Sequence, residues 1–201
     1  MFYKVCILFL SLFFACKDNL SQADKDYINS INNYRIEKNY YMQHNPSSPF
    51  LAKGKIEFHN LKYYDINLDL RFKSLLNIYN EQDTIIIYGT KGEPRKTIKF
   101  GYLTFNYKKR NYKLNVYKSK YNGIDYFSIW FTDQTTNKGS YGVGRYLDFE
   151  YKDDPKFVYD IDFNLAYNPY CAYSHDYSCA IPSREDYIDL EVNAGEKIFN
   201  E

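Results

Sequence analysis

The chain has 201 residues, 45% of them hydrophobic and 25% charged, which is enough for one domain with a proper core. Its formal net charge is +1, so no global field draws it to nucleic acid, and that class of partner is excluded. There are 24 Tyr and 15 Phe against one Trp and two Met. That excess reads either as an aromatic binding surface or as the codon bias of an AT-rich genome, and codon bias is the simpler account.

In chain order, Met1 to Lys4 is a short positive start. Val5 to Ala15 follows, apolar except for Ser11. This stretch is too short to span a bilayer, which takes about 20 apolar residues, but it has the charged and apolar regions of an export signal. It stops at Ala15-Cys16, before polar Lys17-Asp18-Asn19, and there resembles a bacterial lipoprotein signal, with bulky Phe13 and Phe14 where smaller residues are usual. The resemblance implies a signal peptide over 1–15, acylation of Cys16, a short tether over 16–20 and a single domain over 21–201. The expected partner is then a membrane, held through the lipid anchor in the cell envelope.

Ser21 and Asp24 form a capping box, and Tyr27, Ile28, Ile31 and Tyr34 recur at helical spacing, extended by Tyr41 and Met42. One amphipathic helix is expected over 21–43, ended by Asn45-Pro46. The period then changes to two. Ile66, Leu68, Leu70 and Phe72 alternate with polar residues, as a half-buried strand does. Thr84 to Tyr88 is a short β-branched run. Residues 98–107 and 112–117 flank Lys108-Lys109-Arg110-Asn111 as a hairpin with a charged turn. Tyr126 to Phe131 is aromatic on both faces, which predicts a central strand. Alternation returns at Phe157, Tyr159, Ile161 and Phe163, and again at Ile188, Leu190 and Val192. Short strands after one helix predict a mainly β fold, an antiparallel β-barrel or a sandwich-like domain.

Charge is unevenly placed. Residues 91–120 hold ten basic side chains and one acidic; residues 148–201 hold thirteen acidic and four basic. These read as two solvated faces that complement one another in part.

Gly139 to Tyr146 lacks the spacing of a dinucleotide fingerprint and reads as a tight turn, so no cofactor is expected. Cys171 and Cys179 stand eight residues apart, with His175 between them. Structural zinc sites want four ligands in close pairs, so no metal is expected. In an exported chain the default is a Cys171–Cys179 disulfide; free thiols, or Cys171 with His175 as a nucleophile pair, are the alternatives.

Three strings carry a family resemblance: Phe131 to Asn137, Tyr141 to Asp148, and Asp162 to Tyr173, the last containing Tyr-Asn-Pro-Tyr-Cys-Ala-Tyr. With Cys179 to Pro182, Glu185 and Ala194 to Lys197, they resemble the motifs of the DUF1684 family, from about Tyr34 onward. Val143, Ala180, Ser183, Arg184 and Asp186 depart from its usual residues in the turns. The resemblance implies kinship and no activity.

Three readings follow. In the first, the protein is a non-enzymatic binder of a small ligand, glycan or protein partner. Its mouth lies around Arg145 with Asp133, Tyr141, Asp148, Asn164 and Asn168, where an Arg fork suits a carboxylate or phosphate. In the second it is an envelope hydrolase with Asp162 and Glu185 as acid and base, or with Cys171 and His175. In the third it is a structural part of an envelope assembly, with Arg145 in a buried ion-pair network.

Overall fold

The helix α1 (Gln22–His44) begins at the capping box: Ser21 Oγ accepts from Asp24 N at 3.1 Å and donates to the Asp24 carboxylate at 2.6 Å. The computed structural model describes residues 20–52 and 56–199, so Cys16 and the apolar segment before it lie outside the described residues. Asn45 N donates to Tyr41 O at 2.9 Å and closes the helix. Only Ile31 and Met42 of α1 are fully buried, while Tyr27, Ile28 and Tyr34 are half-buried. The helix therefore lies across the body and is not sunk into it.

Nine strands follow among the described residues. They are β1 (Arg71–Leu75), β2 (Asn77–Ile78), β3 (Thr84–Tyr88), β4 (Pro94–Tyr107), β5 (Arg110–Tyr121), β6 (Ile124–Asp133), β7 (Arg145–Leu147), β8 (Val158–Asp162) and β9 (Tyr187–Ile188). The large sheet runs β2-β4-β5-β6-β7, with β3 also on β4 and β9 parallel to β6. β1 and β8 form a separate antiparallel ribbon, Arg71 opposite Asp162 and Leu75 opposite Val158. The fold is thus mainly β and antiparallel with one N-terminal helix. The sheets do not close, which makes it sandwich-like and not a barrel.

The main core lies between the ribbon and the sheet. Leu103, Phe105, Leu114, Val116, Ile129 and Phe131 from the sheet meet Ile161 and Phe163 from the other layer. β6 buries both faces: Ile129 and Phe131 point into this core, while Trp130 joins Ile87, Tyr117 and Ala180 in a second cluster. Gly101 lets β2 approach β4, since a Cβ there would stand 2.6 Å from Asn77 O. The two charged faces do meet: Lys99 pairs with Glu185, and Arg110 with Asp189 at 3.2 Å.

Two expected strands are shorter than their alternation implies. Over 66–73, Asn67 caps a 3-10 turn (Leu68–Leu70) and the strand starts only at Arg71. The cause is the Asn164 side chain, whose amide accepts from Asn67 N and donates to Asn67 O, both at 2.8 Å. It takes the place of a neighbouring strand. Near the end, pairing stops at Ile188 because the carbonyls of Val192 and Ala194 turn inward to Arg145.

The charged hairpin turn is tighter than expected. Lys108 and Lys109 alone form it, with φ of 49° and 63°, the geometry of a type I′ turn. Side chains other than Gly, Asn or Asp cost roughly 1–2 kcal/mol in that region. Replacing Lys108-Lys109 by Asn-Gly is expected to stabilise the protein by about 1–2 kcal/mol, read from the urea midpoint. An unchanged or lowered midpoint would contradict this account of the turn.

Candidate functional site

Arg145, read either as the anchor of a binding mouth or as the centre of a buried ion-pair network, is fully buried on β7 and paired with Asp133. Its Nη2 donates to Asp133 Oδ2 at 2.8 Å, Val192 O at 2.9 Å and Thr135 Oγ1 at 3.4 Å. Its Nη1 donates to Ala194 O, and to Glu196 O at 3.3 Å. Asp133 Oδ1 in turn accepts from Thr135 N at 2.7 Å and Thr135 Oγ1 at 2.6 Å. Both Nη groups of the fork are thus filled by the protein itself, while Nε has no partner among the described residues. Gly144 makes this approach feasible: its φ is +108°, and a Cβ would meet Phe131 O at 2.5 Å.

The other candidates divide. Asn164 is the strand substitute described above, and Asn168 is buried, donating its N to Glu196 Oε2 and its Nδ2 to Lys197 O, both at 2.8 Å. Tyr141 donates to Cys171 O at 3.1 Å and braces that segment. Asp162 Oδ2 accepts from Tyr27 OH at 2.7 Å, a contact that, behind burial itself, raises the Tyr27 phenol. Glu185 is exposed and bonded to Lys99, which lowers its carboxyl. Asp162 and Glu185 share no partner and no cavity, so they do not converge on a reacting atom. His175 is exposed, and no hydrogen bond joins it to Cys171 among the described residues. Among the described residues no group of three or more His, Cys, Asp or Glu is placed to hold a metal ion. Cys171 and Cys179 are free thiols that lie against each other, Cys171 N donating to Cys179 Sγ at 3.2 Å.

Asp148 leads to the site. It lies at the junction of two cavities, of about 550 Å³ and about 1120 Å³, which also share Tyr34. The smaller has an apolar floor of Leu103, Ile129 and Ile161 under Arg71, Lys73 and Asp160. The larger lies between α1 and the outer face of the sheet. Its walls are Tyr34, Lys38 and Tyr41 from α1, Trp130 from β6, Tyr146 from β7, and Tyr167, Tyr170 and Cys179 from the C-terminal segment.

Five of the residues that line the groove are held by contacts of their own. Trp130 stacks on Tyr117, with centroids 4.4 Å apart and planes 10° apart. Tyr117 is fixed by its bond to Asp186 at 2.7 Å. Tyr146 OH donates to Ala180 O at 2.6 Å, and Tyr167 OH to Asp148 Oδ1 at 2.8 Å. Burial pushes both phenols far above their ordinary value, so both stay protonated donors. Lys38 sits over the Tyr167 ring at 4.4 Å and pairs with buried Glu196 at 2.7 Å. Arg95 is held by Glu93 and by Ser178 O, the latter at 2.8 Å. Trp130 itself is 4% exposed, yet its indole Nε1 has no hydrogen-bond partner among the described residues.

Sequence reasoning missed Trp130, Tyr146, Tyr167 and Lys38 as a group. The available signal was the single Trp on a strand apolar on both faces, since its second face needs a second covering layer.

A family model described as a protein of unknown function (DUF1684) matches residues 56–197. No curated protein matches the chain. Among solved structures, an uncharacterised protein of Haloarcula marismortui, determined by solution NMR, is 24% identical with a TM-score of 0.64. The match covers 89% of this chain and 97% of that one, a likeness of fold.

Removing one partner of a buried pair strands the other charge, at a cost of roughly 3–5 kcal/mol. Arg145→Ala is therefore expected to lose about that much stability in urea unfolding, and a loss of only about 1 kcal/mol, typical of a surface pair, would contradict the sealed geometry.

Proposed function

The chain belongs to the DUF1684 family of proteins of unknown function, and we propose that it is a non-enzymatic envelope protein that binds a small ligand in the aromatic groove beneath α1. The observation that carries this reading is the Trp130 ring, which stands with Tyr34, Tyr146 and Tyr167 in the wall of a cavity of about 1120 Å³. Its indole N–H is buried and without a partner among the described residues, and a small shift of the ring toward a ligand acceptor would recover the roughly 1–3 kcal/mol that an unpaired buried donor costs. The stacked and tilted rings around it suit a flat or sugar-like ring. Lys38 and Arg95 are paired with Glu196 and Glu93, which leaves Lys96 and Lys120 against Glu37 and Asp148, so the lining is close to neutral and its rings select the ligand more than its charge does. The separation of Asp162 from Glu185 weighs against a hydrolase built on those two carboxylates.

The anchor belongs to the same reading. Its support is the apolar run Val5 to Ala15 before Cys16. In this proposal acylated Cys16 holds the protein on a membrane of the envelope, with the groove facing the aqueous side.

Two measurements test the proposal. Trp130 is the single tryptophan, so its emission reports the groove directly. Titration with a panel of saccharides and ring carboxylates is expected to shift that emission, and Trp130→Phe to weaken binding by calorimetry about tenfold or more. If no member of the panel shifts the emission and mass spectrometry of protein purified from its host finds no retained small molecule, the groove reading fails. For the anchor, labelled palmitate is expected in the wild type and absent from Cys16→Ala; label that survives the substitution rules the anchor out.

A further inference from the structure

We propose that Cys171 and Cys179 form a reversible dithiol–disulfide latch that sets the width of the groove beneath α1. Its consequence for ligand binding rests on the groove reading above, while the latch itself rests on the two sulfurs and what they join.

The two cysteines belong to differently anchored pieces of chain. Cys171 sits in the 3-10 turn Tyr170–Ala172, and Tyr173, two residues on, is buried with Met42 of α1 and Phe50. Cys179 is tied to the corner between β3 and β4: Cys179 N donates to Thr90 Oγ1 at 3.2 Å, and Thr90 N to Cys179 O at 3.0 Å. Its neighbours hold the same corner. Ala180 bridges Gly89, and Ile181 N donates to Tyr88 O at 2.9 Å. Tyr170 and Cys179 both line the groove, on pieces that meet at the sulfurs. A bond between them ties the floor of α1 to the edge of the sheet.

The chemical setting suits exchange. Tyr141 OH lies 3.8 Å from Cys171 Sγ as a donor, and Cys171 N donates to Cys179 Sγ. The hydrogen bond from Cys179 is the largest influence lowering the Cys171 thiol to about 7, and the same contact pushes the Cys179 thiol up. Cys171 is thus the more acidic of the two thiols and the better attacking sulfur. The oxidant is a disulfide RSSR, small or protein-borne. The groove-facing Cys179 passes its proton to the departing RS⁻ as it exchanges with RSSR, leaving Cys179–S–SR and one RSH; Cys171, on losing its own proton, attacks the Cys179 sulfur, and the second RS⁻ takes that proton. Two thiols and one RSSR become one protein disulfide and two RSH, so electrons and protons balance.

The reporter is built in. Ala180, the residue after Cys179, packs in the same cluster as Trp130. Purified protein equilibrated with glutathione and glutathione disulfide at graded ratios is expected to lose two protons' mass, mapped to the peptides of Cys171 and Cys179, with no glutathione retained. Reduction is expected to reverse it. Trp130 emission is expected to shift in step with the mass change, and not to respond when both cysteines are Ser. In Cys171→Ser alone, Cys179 is expected to keep one glutathione, since the resolving thiol is gone. A wild type that stays reduced at every ratio, or that keeps glutathione on either cysteine, overturns the latch. Oxidation without a Trp130 shift overturns its coupling to the groove. These readouts need no ligand, so a failure here is distinct from a failure of ligand binding.

Discussion

The rest of the structure depends on the burial of the Arg145 guanidinium. A fully buried charge survives only when its donors are met by acceptors, and here Asp133 supplies one carboxylate oxygen while Val192, Ala194 and Glu196 supply carbonyls. The carbonyls come from alternate residues of a segment whose other backbone pairing is at isolated points, such as the bridge of Glu196 to Tyr63 and the bond from Glu196 N to Ala166 O. Arg145 thus does for this segment what a neighbouring strand does elsewhere. Because β7 is the last strand on the β2-β4-β5-β6-β7 path, the guanidinium fastens the C-terminal segment to the end of the sheet.

From that fastening the site follows. With Glu196 O drawn to Arg145, the Glu196 side chain is set among Asn168 N, Tyr173 OH and Lys38 Nζ. Lys38 belongs to α1, so the helix is held at its middle by a carboxylate that the arginine positions. Asn168 and Tyr173 bracket the turn that carries Tyr170 and Cys171. The helix, the turn and the sheet edge are therefore fixed relative to one another, with a gap between them that Trp130 and Tyr146 line from below. The groove is the space left when three separately anchored pieces surround the second face of β6.

Local features were legible in the sequence because their causes are local. The capping box of Ser21 and Asp24 acts over three residues, and the helix starts where it stands. The long hairpin shows its alternation within each strand. The failures have distant causes. Asn67 loses its strand to the amide of Asn164, 97 residues away. Arg145 has the chemistry of an anion site, and only the fold reveals that backbone carbonyls occupy its fork. The groove joins Tyr34, Trp130 and Tyr167, which no periodicity relates, and the eight-residue spacing of the cysteines points to a disulfide where the structure has two free thiols side by side.

The aromatic excess can now be divided by environment. Tyr27, Tyr117, Tyr146, Tyr167 and Tyr173 each donate a hydrogen bond to a carboxylate or a carbonyl. A Phe at these positions would fill the space and leave the acceptor unmet, so compositional bias alone does not account for them. Tyr40, Tyr88, Tyr121, Tyr126 and Tyr187 stand exposed, where a biased composition carries little cost. The first set surrounds the groove and its supports, and three of its members, Tyr117, Tyr146 and Tyr167, are those that hold Trp130, Ala180 and Asp148 in place. A genome that supplies tyrosine freely thus provides the rings, while burial with a fixed acceptor selects which of them become structure. Trp130 departs from this logic: it is buried as they are, yet its indole N–H, like the Tyr63 hydroxyl, has no acceptor among the described residues, and unlike Tyr63 its ring lines the groove.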